Sequence, residues 1–172
     1  MKRLHFLDTC ICIEFLRGRL TYGYQEMRKF SPGDFQLPSI VAAELWYGAE
    51  HSRNPERECK IVGEFVEAFE IAPFDGDAAR RYGQVRQLLG SEGNLIGDRD
   101  LMIASCALAR DAVLVSNNLR DFERVPGLTL VSWTETARRS PFASASGTRT
   151  IGAACSSRTE TGRGPTQSKR SR

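Results

Sequence analysis

The sequence has few of the residues that build soft metal sites or disulfide frameworks. Its 172 residues include only two histidines and five cysteines, and no two cysteines form a C-x-x-C pair. Zinc sites need closely spaced Cys or His ligands, and disulfide-stapled folds need an even set of cysteines. We therefore expect reduced thiols that pack as small apolar side chains in a cytoplasmic protein.

Long apolar runs are also missing. No segment approaches the roughly 18 apolar residues that cross a bilayer. The opening MKRLHFLDTCICIEFL places Asp8 and Glu14 where a secretory signal would be apolar. Neither a membrane protein nor a secreted precursor is predicted. With 41% hydrophobic and 26% charged residues, the composition is that of one soluble globular domain.

The formal net charge of +3 is unevenly distributed. Residues 1–139 carry 18 Lys and Arg against 20 Asp and Glu, whereas residues 140–172 carry six against one. This second segment is rich in Ser, Thr and Gly and has almost no large apolar residues, so it is predicted to be a disordered basic tail. It is either an arm that loosely holds nucleic acid or a solvated extension, and we favour the extension.

Apolar segments of strand length alternate with helical patterns along residues 1–139. This alternation predicts β-α-β units around a mostly parallel sheet. The predicted strands are 4–7, 35–37, 71–74, 112–115 and 128–131. The predicted helices are 9–18, 21–30, 40–50, 55–69 and 75–89, together with a buried helix over the run LMIASCALA.

Four acidic residues lie near the carboxyl ends of predicted strands or the starts of predicted helices. Asp8 ends the first strand, Glu44 lies on an early turn of the helix after the second, Asp100 precedes the buried helix, and Asp121 follows the fourth strand. Ligands of open parallel sheets bind beyond these carboxyl ends. Neighbouring carboxylates repel one another unless a cation neutralises them. Mg²⁺ prefers such oxygen ligands and promotes phosphodiester hydrolysis.

Acidic residues at helix starts are also common caps, because the helix dipole favours negative charge there. For any one of the four residues, capping is the more frequent role. The metal-site hypothesis therefore depends on convergence of all four.

Three segments resemble a known family. LDTCICIEFLRG, SIVAAELWYGAE and LIGDRDLMIASCALARDAVLVSNNLRDFERVPGLTLVSW are similar, in order and spacing, to segments of the VapC-type PIN-domain ribonuclease toxins of bacterial toxin–antitoxin pairs. The resemblance spans about residues 3–133. It implies a three-layer α/β/α fold, which we assign to residues 1–139, followed by the tail 140–172.

The resemblance also implies a set of site residues. The family's first metal-binding Asp matches Asp8, its Glu matches Glu44, and its third acid matches Asp100. The fourth acidic position falls on Asp121 or on Asn118. The resemblance thus implies an acidic catalytic site, with Asp8 and Asp100 as the metal ligands.

Thr9 and Ser116 match polar positions that, in the family, help to hold a metal water or an acidic side chain. Asp98 is an additional carboxylate near the site. It supports the metal ligands, caps the helix or is simply exposed, and we favour the cap.

The implied cofactor is Mg²⁺, with Mn²⁺ as a substitute. The implied partners are a cognate antitoxin, a second copy in a homodimer, and a structured RNA; the resemblance suggests initiator tRNA as this RNA.

Four basic residues could form a rim that contacts the RNA, or they could be a solvated helical face; they are Arg17, Arg19, Arg28 and Lys29. Large apolar residues of the first and third helices form either an antitoxin groove or core; they are Ile11, Ile13, Phe15, Leu16, Leu45, Trp46 and Tyr47.

Two other functions use the same residues. One is a catalytically inactive PIN-fold module that binds RNA or protein, against which the mutually repelling acids argue. The other is a nuclease or phosphatase that acts on different phosphate esters, since the site chemistry is shared.

Overall fold

Five short strands form one parallel sheet in the computed structural model, which describes residues 3–133. The strands are β1 His5–Leu7, β2 Phe35–Pro38, β3 Glu70–Ala72, β4 Val113–Val115 and β5 Thr129–Val131. Their order across the sheet is β3-β2-β1-β4-β5, and every neighbouring pair is parallel. The predicted α/β/α architecture is confirmed, and the described sheet is entirely rather than mostly parallel.

Helices connect the strands, as parallel pairing requires. They are α1 Thr9–Leu16, α2 Thr21–Met27, α3 Ser39–Glu50, α4 Pro55–Glu67, α5 Gly76–Ser91, α6 Asp98–Ala109 and α7 Leu119–Phe122, with a 3-10 turn at Pro32–Asp34. Local sequence explains several starts. Asp75 caps α5 by accepting a hydrogen bond from the amide of Ala78 at 3.0 Å, and Asn54 caps α4 just before Pro55.

The centre of the sheet is the most apolar part of the core. β1 and β4 are buried along their whole length, and Phe6, Leu114 and Val115 are completely inaccessible to solvent. Strands covered by helices on both faces need such continuous apolar sequence rather than alternation. The outer strand β3 is mostly exposed. The acidic site therefore borders the best-packed strands.

Some predicted boundaries are wrong by a few residues. The first helix ends at Leu16 rather than at residue 18, because Gly18 adopts a left-handed φ of +65° that leaves the helix. The third strand is Glu70–Ala72 rather than 71–74. Pro73 has no amide hydrogen for a further ladder bond, so the strand ends before it.

No helix within residues 3–133 has the length and apolar character to span a bilayer. The predicted disordered tail, 140–172, and the domain boundary at residue 139 lie outside the described part of the chain.

Candidate active site

The acidic residues meet at the carboxyl ends of the central strands. Asp8 follows β1, and Glu44 lies on α3, which starts directly after β2. Because β2 and β4 flank β1 in a parallel sheet, the segments that follow these three strands lie side by side. Asp100 enters the same region from the first turn of α6. The site is therefore assembled from residues far apart in sequence.

Asp8 is a buried carboxylate with an extensive set of hydrogen-bond donors. Its side chain is only 4% exposed. It accepts hydrogen bonds from the Thr9 amide at 2.7 Å, the Ser116 hydroxyl at 2.6 Å and the Cys10 thiol at 3.0 Å. Burial of a charge is costly unless hydrogen bonds compensate for lost water. These donors hold the carboxylate in one orientation at the end of β1.

Asn118 joins two of the other acids. Its side-chain amide donates to Oδ2 of Asp100 at 3.2 Å and to Oδ2 of Asp121 at 3.1 Å. The Asn118 main-chain amide donates to the Ser116 hydroxyl at 2.9 Å, and that hydroxyl in turn donates to Asp8. A single short segment after β4 thus orients three carboxylates.

The charges of the other three acids act on Asp100. Its pKa is raised from 3.8 to about 6, chiefly by burial and then by the negative charges of Asp8, Asp121 and Glu44, while the positive charge of Arg99 lowers it. A raised pKa means that a proton is favoured in the absence of another positive charge. The other three acids therefore lie close enough to Asp100 for their charges to affect it.

Glu44 is held by two side chains. The Thr9 hydroxyl donates to its Oε2, and the Arg99 guanidinium lies 2.9 Å from its Oε1. The Glu44 side chain is 19% exposed, whereas that of Arg99 is 71% exposed. Both carboxylate oxygens are thus oriented, one from α1 and one from α6.

The donor chemistry fits a hard divalent cation. Within residues 3–133, no three acidic, histidine or cysteine side chains are close enough to enclose an ion by themselves. Mg²⁺ does not require such a cage, because it retains several waters and binds through one or two carboxylates. The carboxylates of Asp8 and Asp100 could supply oxygen ligands of that kind.

Comparison with known proteins identifies relatives of this chain. A family model described as PIN domain matches residues 5–128. The tRNA(fMet)-specific endonuclease VapC of Shigella flexneri is 37% identical over 127 residues, which are 74% of this chain and 96% of that protein.

The chain belongs to the VapC-type PIN-domain family.

Two solved structures of VapC-type proteins are also similar. DNA-bound VapBC from Salmonella typhimurium matches with a TM-score of 0.73 and 36% identity, over 77% of this chain and 99% of that chain. VapBC2 from Rickettsia felis, bound to a DNA fragment from their promoter, matches with a TM-score of 0.71 and 33% identity, over 76% and 99%. The described PIN domain therefore spans nearly the full length of these relatives.

One predicted site residue lies elsewhere in this PIN domain. Asp98 does not cap α6, because Gly97 occupies the cap position and the backbone of Asp98 is already helical. Its side chain is 66% exposed and pairs with Arg86 of α5, and it accepts a hydrogen bond from Tyr82 at 3.2 Å. The cap prediction was wrong, and Asp98 instead joins the α5–α6 pair.

The basic rim is only partly near the VapC-type site. Arg19 pairs with Glu14 at 2.8 Å, and both line a cavity of about 290 Å³ together with Asn117, the neighbour of Asn118. Lys29 forms an ion pair with Glu26, which is close to it in sequence, as expected of a solvated helical surface.

The apolar residues of the first and third helices divide between core and surface. Ile11 and Leu45 are buried, which fits core packing, whereas Trp46 and Tyr47 are exposed.

Cys10 and Arg99 are site residues that the sequence analysis missed. Cys10 donates to Asp8 and accepts a hydrogen bond from the Asn117 amide at 3.3 Å, and burial, followed by the charge of Asp8, raises its pKa to about 11. The sequence indicates these two residues only by their closeness to predicted acids: Cys10 is two residues after Asp8, and Arg99 directly precedes Asp100.

Proposed function

We propose that this VapC-type PIN domain is the toxin of a toxin–antitoxin pair and hydrolyses RNA with the aid of Mg²⁺, which Mn²⁺ can replace. The observation that carries the proposal is the convergence of Asp8, Glu44, Asp100 and Asp121 at one edge of the sheet, with the charges of the other three acting on Asp100. A site that only bound RNA would gain nothing from repelling acids.

Asp8 and Asp100 are the proposed metal ligands. When bound there, a divalent cation supplies two effects: it lowers the pKa of water and offsets negative charge on the phosphate and the leaving oxygen. The chain supplies orientation. Ser116 and the amide of Thr9 fix Asp8, and Asn118 fixes Asp100.

Glu44 and Asp121 are the proposed catalytic carboxylates beside the metal ligands. The Thr9 hydroxyl orients Glu44 toward the crevice, where its carboxylate can accept a proton from the attacking water. Asp121 is oriented by the same Asn118 amide that contacts Asp100, so it faces the same small volume. In this proposal, two carboxylates bind the cation, and the other two lie beside it for proton transfer.

The proposed substrate is a structured RNA, with tRNA as the first candidate. The relative from Shigella flexneri is named a tRNA(fMet)-specific endonuclease, which supports this choice. Because such RNA is cytoplasmic, we propose that the protein acts in the cytoplasm.

A cognate antitoxin and a second copy of the chain are the proposed protein partners. The solved relatives are VapBC complexes, which supports an antitoxin. Trp46, Tyr47 and Leu95 are exposed large apolar side chains, which supports further burial of surface on assembly. Co-purification with the antitoxin and sedimentation of the toxin alone would test the two partners separately.

The decisive experiment is cleavage of a tRNA mixture by purified wild-type protein and by Asp100→Asn. We expect cleavage with Mg²⁺ or Mn²⁺, none in excess EDTA, and a loss of rate by about three orders of magnitude in the variant, because metal activation supplies several kcal/mol of transition-state stabilisation. Undiminished cleavage in EDTA would refute the metal mechanism. RNA that is bound but never cut by the wild-type protein would instead favour the inactive binding module.

Asp98→Asn is the matched control. It makes the same chemical change two residues away, on the same turn of α6, at a side chain that pairs with Arg86 outside the acidic site. Its cleavage rate should remain within about twofold of the wild type. Equal losses in both variants would show that charge near the start of α6, and not the carboxylate of Asp100, controls activity.

A further inference from the structure

Arg99 is an exposed cation at the edge of an acidic crevice. Its side chain is 71% exposed, and its Nη1 lies 2.9 Å from Oε1 of Glu44, whose other oxygen accepts a hydrogen bond from Thr9. A guanidinium has five N–H donors, so a contact at Nη1 leaves donors directed toward solvent. Glu44 thus positions Arg99 with donors still available at the mouth of the site.

The position of Arg99 within α6 is unfavourable for helix stability. It lies in the first turn, between Asp98 and Asp100, where the amide groups already carry partial positive charge. An ion pair with such high exposure of its cation contributes little to folding, because water and salt screen it. Helix formation therefore does not account for a cation at this position.

The acidic crevice by itself repels the RNA that it is proposed to cut. Each phosphodiester is negatively charged, and the carboxylates of Asp8, Glu44, Asp100 and Asp121 share its sign. Arg99 supplies a positive charge beside these carboxylates, and this charge lowers the pKa of Asp100. A positive group at this boundary offsets the repulsion where the RNA backbone enters.

We propose that Arg99 binds a backbone phosphate of the RNA beside the scissile bond, with Glu44 holding the guanidinium in place until the RNA arrives. The planar guanidinium matches phosphate oxygens in a two-bond geometry, which a lysine ammonium does not reproduce. This inference rests on the proposed ribonuclease function and adds the residue that positions the substrate backbone.

The alternative role is structural: the Arg99–Glu44 pair fastens α6 to α3. The two roles predict different results for the two partners. If the pair is only a fastener, Arg99→Gln and Glu44→Gln should lower the melting temperature equally and leave RNA affinity unchanged. If Arg99 binds phosphate, Arg99→Gln should weaken RNA binding. Glu44→Gln should not weaken it, because the glutamine carbonyl can still accept the guanidinium hydrogen bond and a negative charge is removed.

The test is the salt dependence of RNA affinity in an Asp100→Asn background, which keeps the RNA intact. The probe is a short fluorescent single-stranded RNA, followed by anisotropy between about 50 and 300 mM salt. Arg99→Gln should weaken binding roughly tenfold at low salt. It should also make the slope of log affinity against log salt shallower by about 0.7, the value for one lost phosphate contact. Arg99→Lys should retain the slope with intermediate affinity.

Arg86→Gln is the matched control, because Arg86 also pairs with an acid at the start of α6 but on the α5 side. It should leave both affinity and slope unchanged. An unchanged slope in Arg99→Gln, or an equal change in Arg86→Gln, would overturn the proposal. Either result is independent of the proposed function, because wild-type cleavage with Mg²⁺ is measured separately.

Discussion

The two ends of strand β1 hold buried ionisable side chains in opposite surroundings. Asp8, at the carboxyl end, is 4% exposed and accepts hydrogen bonds from Thr9, Ser116 and Cys10. His5, at the amino end, is 8% exposed, and within residues 3–133 its Nδ1 has no hydrogen-bond partner. One end of the strand is organised to hold a charge, and the other is organised to exclude one.

Aromatic packing explains the amino end. The His5 ring lies 4.4 Å from the Phe30 ring and 5.4 Å from the Phe35 ring, centroid to centroid. Burial lowers the pKa of His5, and the effect of Asp34, which raises it, is smaller. Charge is therefore tolerated only where polar donors converge, and in β1 that is the carboxyl end. The following predictions test this contrast in order of expected effect.

Asp8→Asn should have the largest effect. We expect RNA cleavage to fall by about three orders of magnitude, because the change removes a metal-binding charge. His5→Phe should change the rate less than twofold, because it lies about 10 Å away at the other end of the strand. Single-turnover cleavage of tRNA measures both variants. Similar losses would show that the two ends are not functionally distinct.

Asp100→Asn should stabilise the metal-free protein at high pH. The folded-state pKa of Asp100, about 6, lies above its ordinary value of 3.8. The stability that Asp100 contributes is therefore fully present below pH 3.8 and is lost as pH rises through 6. We expect the variant to be more stable by about 1–2 kcal/mol at pH 8 in EDTA, after allowance for solvent screening. Urea unfolding measures this gain, which should shrink below pH 6; a gain independent of pH would contradict the explanation.

His5→Phe should make stability less sensitive to acid. Because burial lowers the pKa of His5 below 6.5, the unfolded chain takes up a proton before the folded one does. The stability associated with neutral His5 is present above pH 6.5 and is lost as pH falls. Between pH 7.5 and 5, the free energy of unfolding of the variant should fall by less than that of the wild type. His51→Gln, at the exposed second histidine, is the control, and the same change in its pH curve would contradict the explanation.

Cys10→Ser should have the smallest effect. The serine hydroxyl can still donate to Asp8 and accept from the Asn117 amide, so the donor set around Asp8 persists. We expect the cleavage rate to stay within about threefold and the melting temperature to shift by only a few degrees. A loss above tenfold would mean that the polarisable sulfur itself takes part in the site.

Strand ends carried most of the predictive information in the sequence. The segment 4–7 contains three large apolar residues and Asp8 follows it, so the position of the first acid could be predicted from the hydrophobic pattern. In the same way, the apolar strand Val113–Val115 predicts that Ser116 lies at a strand end. A parallel sheet then brings these residues to one edge, because every strand runs in the same direction.

Side-chain direction was beyond the reach of the sequence. The sequence offers Asn118 and Asp121 as alternatives for one position, whereas in the structure the Asn118 amide contacts Asp121 and Asp100 together. Asp98 was expected to cap α6, but a helix start one residue earlier turned it toward Arg86. Helix boundaries and rotamers depend on the packed neighbours, which spacing along the chain does not specify.

The hydrogen bond between Ser116 and Asp8 joins residues 108 positions apart in the chain. During synthesis, a polypeptide that has emerged only as far as α6 contains Asp8 and Asp100 but lacks β4 and the Ser116–Asn118 segment that orients both carboxylates. Strand β4 must enter the sheet beside β1 before the acids are ordered, and such distant pairing is among the slower events of folding. The acidic site of a growing chain is thus incomplete until nearly all of the domain has been made.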